Sequence, residues 1–122
     1  MEEPPDLSFP PDLSFLAGRE LESVVFVRDY MQLVLNDAVF SFLTWPVLYV
    51  NGEVIGPDEL RYHRAACSPI SDRVRSAHIE SDVLTVEIGR TRYVVSLLPG
   101  DRIPGQLESA TLDADDRRFW AW

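Results

Sequence analysis

The sequence predicts an α+β domain of two duplicated three-stranded antiparallel β-meanders, forming one sheet or a partly closed barrel and joined by one short helix. Three observations lead there. The stretch SVVFVRDYMQLVLN at residues 23–36 returns in pattern as SAHIESDVLTVEIG at residues 76–89, fifty-three positions on. In the second stretch Leu84, Val86 and Ile88 alternate strictly with Thr85 and Glu87, which marks a strand buried on one face. Between the copies, Gly56 and Pro57 precede Asp58 and Glu59, residues suited to the positive end of a helix, and Pro69 ends that run by about Cys67.

Residues 1–17 read as a proline-rich N-terminal arm ahead of a single domain at 18–122. The arm carries PPDLSF twice, at 4–9 and 10–15, and prolines at that density favour extended chain over a regular element. It is expected to be mobile or packed on its own domain, the other reading being a docking peptide anchored by Leu7, Phe9, Leu13 and Phe15. In the first copy, turns at Arg28-Asp29 and Asn36-Asp37 set Phe26 opposite Met31 and Leu33 opposite Phe40. In the second, turns at Ser81-Asp82 and Gly89-Arg90 set Ile79 opposite Leu84, Val86 opposite Tyr93 and Glu87 opposite Arg92, and Gly89 suits the first position of a type II′ turn. A shift of 53 also matches Ser23 with Ser76, Asp29 with Asp82 and Pro46 with Pro99. The helix is expected over 57–67, and Pro99-Gly100 and Pro104-Gly105 mark turns before a tail whose Trp120 and Trp122 are apolar enough to dock.

Composition narrows the function classes. At 122 residues and 46% hydrophobic content the chain supports one core, and no apolar run approaches the ~20 residues of a membrane span. The first residues hold acids and prolines where a secretory signal would be basic and then apolar, and the single Cys67 fits a reducing compartment, so a soluble cytoplasmic protein is expected. A formal charge of -9, with every basic side chain an arginine scattered among acids, argues against nucleic acid as a partner.

VVFVRDYMQL at 24–33, then Trp45-Pro46, then the closing Trp-x-Trp, resembles small bacterial proteins of unknown function that share the frame VVFVxDYxQLxF…YxWP and a late acidic patch before AWxxW. The resemblance covers roughly residues 20–122 and leaves out the proline arm. It supports the fold and implies no reaction. Some duplicated-meander proteins look like immunity proteins that neutralise bacterial toxins, an analogy of architecture alone.

No constellation of reactive residues stands out. His63 and Cys67 are four apart on the expected helix but form only two ligands of a metal site. Asp113, Asp115 and Asp116 lack the glycine and distal glutamate of a calcium loop, and His78 falls on an exposed strand position. No cofactor is therefore expected. Trp45, Trp120 and Trp122 suit a core better than a ligand wall. Two function classes remain: a non-catalytic protein-binding module, of immunity or antagonist type, and a small enzyme or ligand-binding cup with its pocket near Trp45 and the 57–67 helix. The acidic surface, the sheet-rich frame and the lack of a reactive constellation favour the first. The outward face carries His78, Glu80, Thr85, Glu87, Arg92 and Ser96 in the second copy but Val25, Val27, Tyr30, Val34, Val39 and Leu43 in the first. An apolar patch of several hundred Å² is more than monomers usually leave open. The candidates for its cover are the proline arm, the helix, the terminal tryptophans and a second subunit, and a homodimer is expected, with the helix as its stronger rival.

Overall fold

The computed structural model describes residues 12–114 and 118–122. Its ten described strands form two five-stranded, wholly antiparallel sheets that do not close into a barrel, with one short helix. The first sheet runs in the order β1 (Leu21–Val27), β2 (Tyr30–Leu35), β3 (Ala38–Phe42), β9 (Ala110–Ala114), β10 (Arg118–Ala121). The second runs β5 (Glu53–Ile55), β4 (Val47–Val50), β8 (Thr91–Ser96), β7 (Val83–Ile88), β6 (Val74–Glu80). The molecule is thus mainly β, a correction to the α+β class. Four strands lie outside the six that the sequence pattern suggests, and each pair of them crosses to the other sheet: β4 follows β3 in the chain but pairs with β8, and β9 follows β8 but pairs with β3.

The registers follow from the turns. Phe26 lies opposite Met31, Leu33 opposite Phe40, Ile79 opposite Leu84, and Val86 opposite Tyr93. Ser81 and Asp82 both take positive φ, 51° and 60°, as a type I′ hairpin requires, whereas at the next turn Gly89 alone does, at 57°. At Gly89 a Cβ would also come within 2.4 Å of the Asp72 carboxylate, so glycine is held there by space as well as by conformation.

Where the chain enters β1 and β6, hydrogen bonds come in reciprocal pairs. Gly18 N–H donates to the Val74 carbonyl at 2.8 Å and Ser71 N–H to that of Leu21 at 2.8 Å; Leu21 N–H donates to Asp72 at 2.9 Å and Val74 N–H to Arg19 at 2.8 Å. Moving each residue to its counterpart 53 positions away turns one bond of a pair into the other. Glu20 and Arg73, themselves 53 apart, form a bridge at the centre. Bulges interrupt β1 between Leu21 and Ser23 and β6 between Val74 and Ser76, and Gly18 and Ser71 both have positive φ, 88° and 81°.

The inward faces of both sheets share one core, in which Leu33, Phe40, Leu48, Leu84 and Tyr93 are wholly buried. Phe42 of β3 and Tyr93 of β8 stack at 6.4 Å, joining the sheets. Helix α1 (Tyr62–Cys67) packs against β1 and β4 and closes one side. The Tyr62 hydroxyl donates to the Pro46 carbonyl at 2.6 Å and that of Tyr93 to Ala66 at 2.5 Å, so each buried phenol has an acceptor.

The helix is shorter than the 57–67 span the sequence suggests. The acids that favour a helix start are used otherwise: Glu59 accepts the Gly56 N–H at 2.6 Å, which holds its carboxyl below the usual range, and Arg61 reaches back to Glu59 and to Glu53 on β5. Bonds from Glu59 N–H to Gly56 and from Tyr62 N–H to Glu59 make two successive tight turns instead of a helix.

The near end of the arm belongs to this fold. A 3-10 turn at Ser14–Leu16 buries Leu13 and Leu16 in the core, and Phe15 lies 5.7 Å from Trp120 with the Arg118 guanidinium 3.9 Å over its ring. Two of the four docking anchors, Leu13 and Phe15, are engaged within the chain; Leu7 and Phe9 lie outside the described residues.

Candidate functional site

The outer face of the first sheet is built from the residues that alternate with its core strands. Strand pairing lines up Ser23, Val34, Val39, Asp113 and Phe119 in one row, and Val25, Gln32, Ser41, Thr111 and Ala121 in the next. Val27 and Tyr30 pair beyond them. The six residues singled out for an interface all lie outside the buried set: Val25 and Val27 are each 37% exposed, and Tyr30, Val34, Val39 and Leu43 are half-buried. The Gln32 amide donates to the Ser41 hydroxyl at 3.0 Å within the face, so its polar centre is partly self-satisfied. One apolar residue of the face is missing from the sequence reading. Phe119, 62% exposed, extends the row across β10, and its alternation with the partly buried Trp120 was the available signal.

The second sheet presents a different surface. Its outer row runs Ser76, Glu87, Arg92, Tyr49, Val54, and at the end of that row the turns at Asn51-Gly52 and Gly89-Arg90 are joined by a hydrogen bond from Asn51 N–H to the Arg90 carbonyl at 3.5 Å. A recess of about 280 Å³ opens there, bordered by Arg75, Arg90, Arg92, Glu87 and Tyr49. Arg92 Nε donates to Glu87 Oε1 at 3.0 Å, and Arg75 Nη1 reaches the Gly89 carbonyl at 3.4 Å.

The remaining candidates are dispersed. Trp45 stacks on Phe26 at 6.3 Å and meets Tyr62 at 6.1 Å, so aromatic side chains occupy the region between helix and sheet. The recess on the second sheet includes neither Trp45 nor any residue of α1. His63 is exposed and lies over Phe26, with ring centroids 4.3 Å apart, while burial pushes the Cys67 thiol up from its ordinary pKa. His78 and Asp113 are exposed; Asp115 and Asp116 lie outside the described residues. Trp120 and Trp122 pack partly buried against the core. Among the described residues no three His, Cys, Asp or Glu side chains gather as a metal site would require, and no helix is long and apolar enough to cross a membrane. Comparisons with family models, with curated proteins and with solved structures return no match for this chain.

Proposed function

We propose that this chain is a non-catalytic protein-binding module that pairs with a second copy of itself through the outer face of the first sheet. The observation that carries this reading is the contrast between the faces: three exposed apolar side chains, Val25, Val27 and Phe119, flank the half-buried Tyr30, Val34, Val39 and Leu43 on one sheet, while on the other the exposed His78, Glu80 and Arg92 accompany one exposed apolar side chain, Val54. The face itself permits a second copy. Two chains with a formal charge of -9 repel one another overall, but the rows of this face include one charged side chain, Asp113, so local repulsion there is small. Five strands spaced ~4.8 Å and about five residues long span roughly 24 by 17 Å. That is ~400 Å² in projection, about half of what one partner contributes to a standard interface, so the dimer is a weak one.

The module is proposed to be an internal duplication of 53 residues. Support comes from the reciprocal bonds at the junction, the matching bulges at Leu21/Ser23 and Val74/Ser76, and the Glu20–Arg73 bridge at the centre. Membership of the bacterial family with the VVFVxDYxQL frame, a cytoplasmic location and an immunity-type role belong to the same proposal.

Val34→Glu tests the reading by placing a carboxylate at the middle of the face. Sedimentation at roughly 50 µM should show wild-type dimer and a variant monomer of unchanged circular dichroism. A wild type that stays monomeric, or a variant that unfolds, would mean that the face has another occupant, residues 1–11 being the one this chain offers, and the homodimer would be abandoned.

A further inference from the structure

We infer that the recess on the second sheet is a binding site for a compact dianion, a phosphate monoester with a small organic body. In a chain with a formal charge of -9, three guanidiniums border one cavity of about 280 Å³ whose lining includes one carboxylate, Glu87, with the Asp72 carboxylate close against Gly89 at its edge. Glu87 is paired with Arg92 at 3.0 Å. The Arg75 guanidinium is committed only to the Gly89 carbonyl at 3.4 Å, and among the described residues no hydrogen bond or ion pair engages the Arg90 guanidinium. Among the described residues Arg75 and Arg90 thus have no ion-pair partner at the recess, and two such guanidiniums match the charge of a phosphomonoester near neutral pH.

The fold does not require this concentration of cations. The counterparts of Arg75, Arg90 and Arg92 in the first sheet, 53 residues earlier, are Glu22, Asp37 and Val39. At that corner Glu22 accepts the Asn36 amide at 2.8 Å, so the same strand geometry is maintained around acids. Arginines at the second corner thus serve something other than the hairpin. Guanidinium groups present paired N–H donors to phosphate oxygens, and the Tyr49 ring, half-buried beside Arg92 in the row, offers an apolar wall to the body of the ligand.

Phenyl phosphate is the probe, followed by calorimetry and by amide chemical shifts at about pH 7.5 and fixed ionic strength, with inorganic phosphate and benzoate as separate arms. Saturable binding at one site is expected, tighter for phenyl phosphate than for either, with shifts centred on Gly52 and Gly89. Arg75→Gln and Arg90→Gln should each weaken it about tenfold. Arg28→Gln, at the exposed β1–β2 turn, should leave it unchanged. The assignment is overturned by absence of saturation at roughly 10 mM, by shifts centred elsewhere, by equal weakening in Arg28→Gln, or by benzoate binding as tightly as phenyl phosphate.

Discussion

Replacing Tyr93 by Phe removes one oxygen atom from the middle of the core. That oxygen donates at 2.5 Å to the carbonyl of Ala66, in the last turn of α1, where carbonyls have no partner within the helix. Tyr93 and Ala66 are both fully buried, so water cannot replace the donor. Leaving one buried carbonyl unsatisfied costs about 1–3 kcal/mol. With an unfolding entropy of ~2.1 cal/mol/K per residue, a chain of 122 residues loses roughly 4 °C of Tm per kcal/mol, so a loss of about 8 °C is expected for 2 kcal/mol. Thermal unfolding followed by circular dichroism reads the shift, and urea titration should show a lower midpoint with the same slope. Phe40, the counterpart in the first sheet, stacks on Phe42 at 5.8 Å and has no hydroxyl, so ring packing alone suffices there. A drop below about 2 °C in Tyr93→Phe would refute the idea that this bond anchors the helix to the second sheet.

Two further outcomes are expected. Leu16→Ala should cost about 2–5 kcal/mol in urea unfolding, because Leu16 is wholly buried; a cost typical of exposed sites, under about 0.5 kcal/mol, would return residues 12–17 to a free arm. Burial raises the pKa values of Tyr62 and Tyr93 above the ordinary 10.0, so the folded state favours their protonated forms. Their contribution to stability is therefore complete below about pH 10 and is lost as pH rises through the folded values. The absorbance rise at 295 nm from these two phenols should coincide with loss of near-ultraviolet dichroism, and ionisation ahead of unfolding would contradict their burial.

Much of the local structure is legible in the residues, and the reason is turn chemistry. Two-residue turns with strict alternation on either side leave few registers that keep Leu33, Leu84 and Val86 on one face, which is why the pairing of Phe26 with Met31 and of Glu87 with Arg92 can be read directly. The β4–β5 hairpin was legible too. Asn51-Gly52, with φ of 52° and 81°, is a strong hairpin signal, but its strands span only Val47–Val50 and Glu53–Ile55, too short for alternation to stand out. β9 shows Ala110, Leu112 and Ala114 buried around Thr111 and Asp113, a weak pattern because alanine contributes little contrast. What the sequence does not carry is the neighbour of each hairpin. Val47 sits beside Val94 and Leu112 beside Phe40 through contacts distant along the chain, and periodicity within a strand is blind to them. The apolar half of the candidate interface was visible as an unexplained outward stripe. The arginine recess was not, because Arg75 and Arg90 are separated by a whole strand and meet only through the β6–β7–β8 register.

The crossed placement of the hairpins dictates an order of assembly. When β1, β2 and β3 have been synthesised, the exposed edge of β3 has no lasting partner, because β9 arrives only after all five strands of the second sheet. β4 and β5 must likewise wait for β8. Neither sheet can be completed as an autonomous unit, and the last closure joins residues far apart in sequence, which places the chain among slow-folding topologies. Native structure should therefore form in one cooperative step rather than sheet by sheet. Until that step, the unpaired edge of β3, whose Val39, Phe40 and Phe42 favour β structure, is the place where one nascent chain could capture another, so expression yield is set by how fast β9 reaches it.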